Sequence, residues 1–154
     1  MERYFLQPGF VYISDKHCII HTILGSCVAV ALWDSNKKYG GMNHYIYSRS
    51  VKNERNCRYG DVSMHVMINY MLFNKSRLCD LRAHIAGGSS SSEYWRQLGV
   101  DNYETAAKIL GSYGIPIVSC DVGGFAGRKV VFDNCSGEMA VSSRFSRRHN
   151  ILYE

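Results

Sequence analysis

The run VAVALW, Val28 to Trp33, is apolar at every position, where a strand with one wet face would alternate. It reads as a strand buried on both faces, and it fixes the centre of the fold. The turn Asp34-Ser35-Asn36-Lys37-Lys38 follows it, and Gly41 to Tyr47 returns as its partner strand. Further short strands are expected at Gly9 to Ile13, Cys18 to Ile23, Ala83 to Ala86, Ile115 to Asp121, Lys129 to Asp133 and Glu138 to Ser142. Asp61 caps a helix through about Asn74, with Val62, His65, Val66, Asn69 and Leu72 or Phe73 on its buried stripe. Asn102 caps a second helix that ends at Gly114. Many strands, two helices and no strict βαβ alternation make an α+β fold. It is one domain over residues 1–154, with a basic tail from 143 and no internal repeat.

Hydrophobic residues at 46% against 20% charged ones predict a soluble globular chain with a substantial core. No stretch approaches the roughly 18 apolar residues of a membrane span. The opening MERYFLQPGFVYISDKHC has no basic region leading into an apolar one, so no signal peptide is expected and the cytoplasm is the expected compartment. There the six cysteines stay reduced, mostly as small core hydrophobes. They include no CxxC pair. His17, Cys18 and His21 on one strand would point to both faces, so a metal is not expected from this spacing. The net charge of +5 is modest. Arg144, Arg147 and Arg148, and Arg49, Lys52, Arg55 and Arg58, suit solvated loops or an acidic protein partner better than nucleic acid. GGFAGRK, residues 123–129, matches no nucleotide-binding loop.

Cys27 stands just before the buried run, after Gly25 and Ser26. A thiol attacks carbonyls only as thiolate, and an ordinary pKa of about 8.5 leaves little of it at neutral pH. It needs a histidine within reach. If Ser35 and Asn36 form the hairpin loop, Asp34 opposes Lys37 and the register carries Cys27 opposite His44. Directly opposed residues have Cβ atoms roughly 5 Å apart, and a slip of one would part them. The pair is then either a catalytic dyad or a buried cysteine beside a hydrogen-bonded core histidine. Gly25 and Ser26 allow a sharp turn with N–H groups left to hold an oxyanion. The segment is not G-x-S-x-G, so Ser26 is a poor nucleophile candidate. Arg128 either holds a substrate backbone or makes a structural ion pair. Gly87, Gly88, Gly123 and Gly124 either line a cleft or form tight turns.

Taken in order, LGSCVAVALWD, KKYGGMNHYI, RYGD, HIAGGS, LGVDN and YGIPIVSCDVGGFAGRKVVFDNCSGEMAV resemble the CheD family, chemoreceptor glutamine deamidases of chemotaxis. The resemblance runs from about residue 9 to 143, and its most specific block is D-x-G-G-x-x-G-R with a Phe four residues later. It implies a fold of packed mixed β-sheets flanked by helices, similar to the catalytic domain of cytotoxic necrotizing factor toxins. It implies Cys27 as nucleophile and His44 as general base, with no metal or organic cofactor. The substrates it implies are glutamines on the cytoplasmic helices of chemoreceptors, deamidated through a thioester. A CheC-type phosphatase is the implied protein partner.

The chain departs from that family's pattern in places. A threonine six residues before the cysteine orients the histidine there, whereas this chain has His21 at that position and Thr22 next. On a strand, one residue of displacement turns a side chain to the opposite face. The third member is therefore Thr22 after a local backbone shift, or His21, or the dyad is weaker. Tyr47-Ser48 replaces Leu-Pro at the rim, and Asp101-Asn102 replaces Arg-Asn at the expected cap. Residues 89–97 read unlike their counterparts and suit a partner surface. Two alternatives follow: a module that docks a CheC-type phosphatase or a receptor without turnover, and a toxin-like deamidase with another substrate.

Overall fold

A computed structural model of the chain describes residues 1–144. The strands are β1 (Glu2–Phe5), β2 (Val11–Ser14), β3 (Cys18–Leu24), β4 (Val28–Asp34), β5 (Tyr39–Asn43), β6 (Leu81–Gly87), β7 (Ile117–Val122), β8 (Gly127–Asp133) and β9 (Met139–Arg144). The helices are α1 (Gly60–Phe73) and α2 (Glu93–Tyr113). Four strands form one sheet in the order β1-β3-β8-β9, and five form the other in the order β2-β5-β4-β6-β7. Both are mixed, since β1 runs parallel to β3 and β6 parallel to β7 while the remaining pairs are antiparallel. The α+β architecture expected from the sequence is the one observed.

The two faces of β4 explain its composition. Cys27, Ala29, Ala31 and Trp33 face the four-stranded sheet and pack with Leu6, Ile20, Leu24, Val130 and Phe132. Val28, Val30 and Leu32 face the helices and pack with Met64, Met67, Ile68, Met71, Ala106 and Leu110. All seven residues of β4 are buried, so the strand carries both cores at once. The small side chains Ala29, Ala31 and Ala86 fill the space between the sheets.

Several expectations are corrected. In α1 the buried face is Gly60, Ser63, Met64, Met67, Ile68 and Met71, and not the stripe through Val62 and Val66. Val66 and Phe73 are exposed. Both stripes have helical spacing; the unbranched methionines follow the irregular surface of the sheet better. Tyr59 occupies the N-cap with no side-chain cap bond. Asp61 sits in the first turn, accepting the N–H of Val62 at 2.8 Å and of Ser50 at 3.1 Å. The second helix does end at Gly114, in the left-handed conformation with φ 70°. It begins at Glu93, however, so Asn102 is an interior residue of α2 and not its cap. Strand β1 had no apolar signal, because all four of its residues are exposed.

Among the described residues no helix is long and apolar enough to cross a membrane. No three His, Cys, Asp or Glu side chains among them stand together as metal ligands would. His17 instead pairs with Asp133 at 3.1 Å, and Cys18 is buried in the core. Arg147 and Arg148 of the basic tail lie outside the described residues.

Candidate active site

The chain crosses from one sheet to the other between Leu24, the end of β3, and Val28, the start of β4. Gly25, Ser26 and Cys27 make that crossing. The bend after β6 clasps it: Ser89 N–H donates to Gly25 C=O at 3.0 Å and Gly88 N–H to Cys27 C=O at 2.9 Å. Arg128 fixes the bend in turn. Its guanidinium donates to Asp121 carboxylate at 2.9 Å, to Gly87 C=O at 3.2 Å and to Gly123 C=O at 2.6 Å. With three partners of its own, Arg128 is a structural clamp.

The hairpin register differs from expectation by two residues. Asp34 carboxylate accepts the N–H groups of Asn36 and Lys37 at 2.9 and 2.8 Å, and Lys38 adopts φ 58°. This builds a four-residue turn, so Asp34 pairs with Tyr39 and not Lys37. The ladder's last bridge is Val28 with Tyr45, which places Cys27 opposite Ile46 and His44 opposite Ala29. A shift of two preserves which face each side chain occupies. Cys27 and His44 therefore project from the same face, between the sheets, as diagonal neighbours along the ladder.

The strand alternation of β3 decides which of His21 and Thr22 faces His44. Cys18, Ile20, Thr22 and Leu24 point inward and are buried, while Ile19, His21 and Ile23 point outward. His21 lies against the edge of the Phe5 ring, at a centroid distance of 5.3 Å, on the outer face. It cannot reach His44. Thr22 Oγ1 stands 2.8 Å from His44 Nδ1 and donates to Leu6 C=O at 2.7 Å. Its single hydroxyl hydrogen is used on Leu6, so the His44 contact is Nδ1–H donating to Thr22 Oγ1. The imidazole thus carries its proton on Nδ1, leaving the Nε2 lone pair, which has no hydrogen-bond partner among the described residues. The main chain of His44 is pinned as well, by Gly9 N–H on its carbonyl at 2.7 Å and by its own N–H on Phe10 C=O at 3.1 Å.

Burial pushes His44 down to a pKa of about 4, so it is a neutral base at physiological pH. Cys27 and His44 are each 1% exposed. Both are sealed from solvent. The shift also has a consequence for stability. Below the unfolded value of about 6.5 the unfolded chain takes a proton that folded His44 refuses, so stability is lost as pH falls from 6.5 towards 4. The loss from this residue reaches about 3 kcal/mol. Urea midpoints measured at pH 7 and pH 4.5 should fall further for the wild-type chain than for a His44→Gln chain; equal falls would contradict the assignment.

The comparisons with known proteins point one way. A family model described as CheD chemotactic sensory transduction matches residues 46–143, a span that begins past His44. A probable chemoreceptor glutamine deamidase CheD from Trichlorobacter lovleyi is 34% identical over 141 residues, covering 89% of this chain and 88% of that protein. One of that name from Borrelia garinii subsp. bavariensis is 37% identical over 129 residues, covering 81% and 78%. A probable chemoreceptor glutamine deamidase CheD 1 from Ruegeria sp. is 32% identical over 133 residues, covering 86% and 71%. With most of both chains aligned at this level of identity, the chain belongs to the CheD family.

Proposed function

We propose that the chain is a protein-glutamine deamidase that converts glutamines of chemoreceptors to glutamate in the cytoplasm, with Cys27 as nucleophile and His44 as general base. The observation that carries the chemistry is the contact of His44 Nδ1 with Thr22 Oγ1, whose own hydrogen goes to Leu6 C=O. Thr22 holds the proton of His44 on Nδ1, and the bare Nε2 lies on the same face as the Cys27 thiol. The relatives' names supply the substrate.

In this reading His44 Nε2 takes the thiol proton, and the Cys27 sulfur attacks the carbonyl carbon of the glutamine carboxamide. The tetrahedral intermediate collapses as Nε2–H returns its proton to the amide nitrogen. The C–N bond breaks, ammonia leaves and a thioester remains. His44 then draws a proton from water, whose oxygen attacks the thioester; the C–S bond breaks, giving glutamate and the thiol. One water is consumed for each ammonia released. Thr22 is a positioning residue, since it acts through His44. A Thr22→Val chain should lose about 10-fold in kcat with little change in KM, the worth of one buried hydrogen bond. An unchanged kcat would remove Thr22 from the mechanism.

The 1% exposure of Cys27 and His44 favours a second reading, in which the fold docks a receptor or a CheC-type phosphatase without turnover. Purified receptor cytoplasmic fragments, incubated with the chain and analysed by mass spectrometry, separate the two. Conversion of glutamine to glutamate, with hydroxylamine trapping an acyl hydroxamate, supports the deamidase. Binding of the fragments with no conversion supports the docking module.

A further inference from the structure

Beyond Val28 and Tyr45 the β4–β5 hairpin stops pairing with itself. The two strands exchange N–H···O bonds there, at 3.2 and 3.0 Å. One step further the N–H groups of Ile46 and Tyr47 turn away to Arg58 C=O, at 2.8 and 3.1 Å. The dyad lies at this point of separation, with Cys27 on one arm and His44 at the root of the other. Something other than the ladder has to set the distance between the arms.

Asn102 is inserted there. It is fully buried, and its Nδ2 donates one hydrogen to Ser26 C=O at 3.0 Å and the other to Ile46 C=O at 2.8 Å. Ser26 immediately precedes Cys27, and Ile46 is two residues past His44. The Tyr45 hydroxyl donates to the main-chain carbonyl of Asn102, tying the same arm to α2 a second time. The amide orientation is forced, because exchanging nitrogen and oxygen would set Oδ1 against two carbonyl oxygens. Oδ1 has no partner among the described residues, so the residue is held for its two donors. Helix α2 comes close enough because Gly99, one turn earlier, touches the bend after β6 backbone to backbone. A Cβ at Gly99 would stand 2.5 Å from Gly88 C=O.

We infer that Asn102 is a positioning residue of the reaction, whose amide fixes the spacing of Cys27 and His44 by bridging the main chains beside them. The inference rests on the deamidase reading for its kinetic consequence and on geometry alone for its effect on the thiol. Leucine has the branching and heavy-atom count of asparagine, in a larger side chain, but neither donor. In an Asn102→Leu chain that melts cooperatively, kcat on receptor fragments should fall at least tenfold with KM within twofold. The iodoacetamide alkylation rate of Cys27 near neutral pH should fall by a similar factor. Alkylation of exposed Cys79 and Cys120 should not change. Where Asn102→Leu does not fold, the same rates are read in Asn102→Ser, which keeps one donor and should lie between. A folded variant with wild-type alkylation and wild-type kcat overturns the inference. If the wild-type chain converts no receptor glutamine, the deamidase reading fails, and the alkylation comparison still decides the role of Asn102.

Discussion

A Cys27→Ala chain is expected to fold as the wild type does and to convert receptor glutamine at least about 10⁴-fold more slowly, the scale on which nucleophile removal acts. Only the sulfur atom is lost, from a core cluster that Cys27 shares with Leu6, Leu24, Ala29 and Ala86. The stability cost should be about 1 kcal/mol, against a total of about 5–15 for a domain of ordinary stability. Activity falls for a different reason. Without the sulfur no thioester forms, and His44 Nε2 has only water to activate against an amide, the least reactive of acyl groups. Mass spectrometry of the receptor fragments measures the loss, and a thermal melt checks the fold. Turnover within tenfold of wild type by a folded Cys27→Ala chain would end the covalent mechanism. Receptor binding that survives the substitution, together with a wild type that does not turn over, would leave the docking reading standing.

How much of this was readable beforehand depends on the kind of information each feature needs. Strand β4 was readable because two-sided burial leaves a composition that only one environment satisfies. Strand β1, ERYF, buries none of its residues and leaves no such composition; it exists through parallel pairing to β3. The methionine face of α1 lost to a competing stripe of equal periodicity, since spacing cannot say which face a sheet will cover. Asn102 looked like a cap because asparagine inside a helix is unfavourable, and local rules contain no term for two carbonyls waiting on other elements.

The site follows the same division. The expected register was off by two along the ladder, yet an error of two conserves the face, so Cys27 and His44 still project to the same side of the strands. The choice between His21 and Thr22 turned on absolute parity in β3, which Cys18, Ile20 and Leu24 set by facing the core. The Leu6 carbonyl that orients Thr22 belongs to the segment after β1, a contact with no local signature. The closure of the site over Cys27 and His44 is a tertiary property throughout.

Gly87 is where fold and site are least separable, and Gly87→Ala should damage both. Its φ is 116°, a conformation that any side chain makes costly, and a Cβ there would lie 2.2 Å from the Cys27 carbonyl oxygen and 3.1 Å from Val28 Cα. Neither neighbour can retreat cheaply. The Cys27 carbonyl is held by Gly88 N–H, and Gly87 C=O accepts from both Gly123 N–H at 3.0 Å and Arg128. Backbone strain of about 1–3 kcal/mol and a comparable overpacking cost put the expected destabilisation at about 2–6 kcal/mol, a large part of the stability of such a domain. Relief is available only by moving the Cys27 main chain, so chains that do fold should lose deamidation and depart from the wild-type rate of Cys27 alkylation, whereas Cys79 and Cys120 keep their reactivity. Denaturant unfolding and the alkylation assay read the two effects separately. A Gly87→Ala chain with an unshifted midpoint would mean that the bend after β6 does not press on the nucleophile. One that is destabilised yet alkylated at the wild-type rate would mean that the bend supports the fold without placing the sulfur.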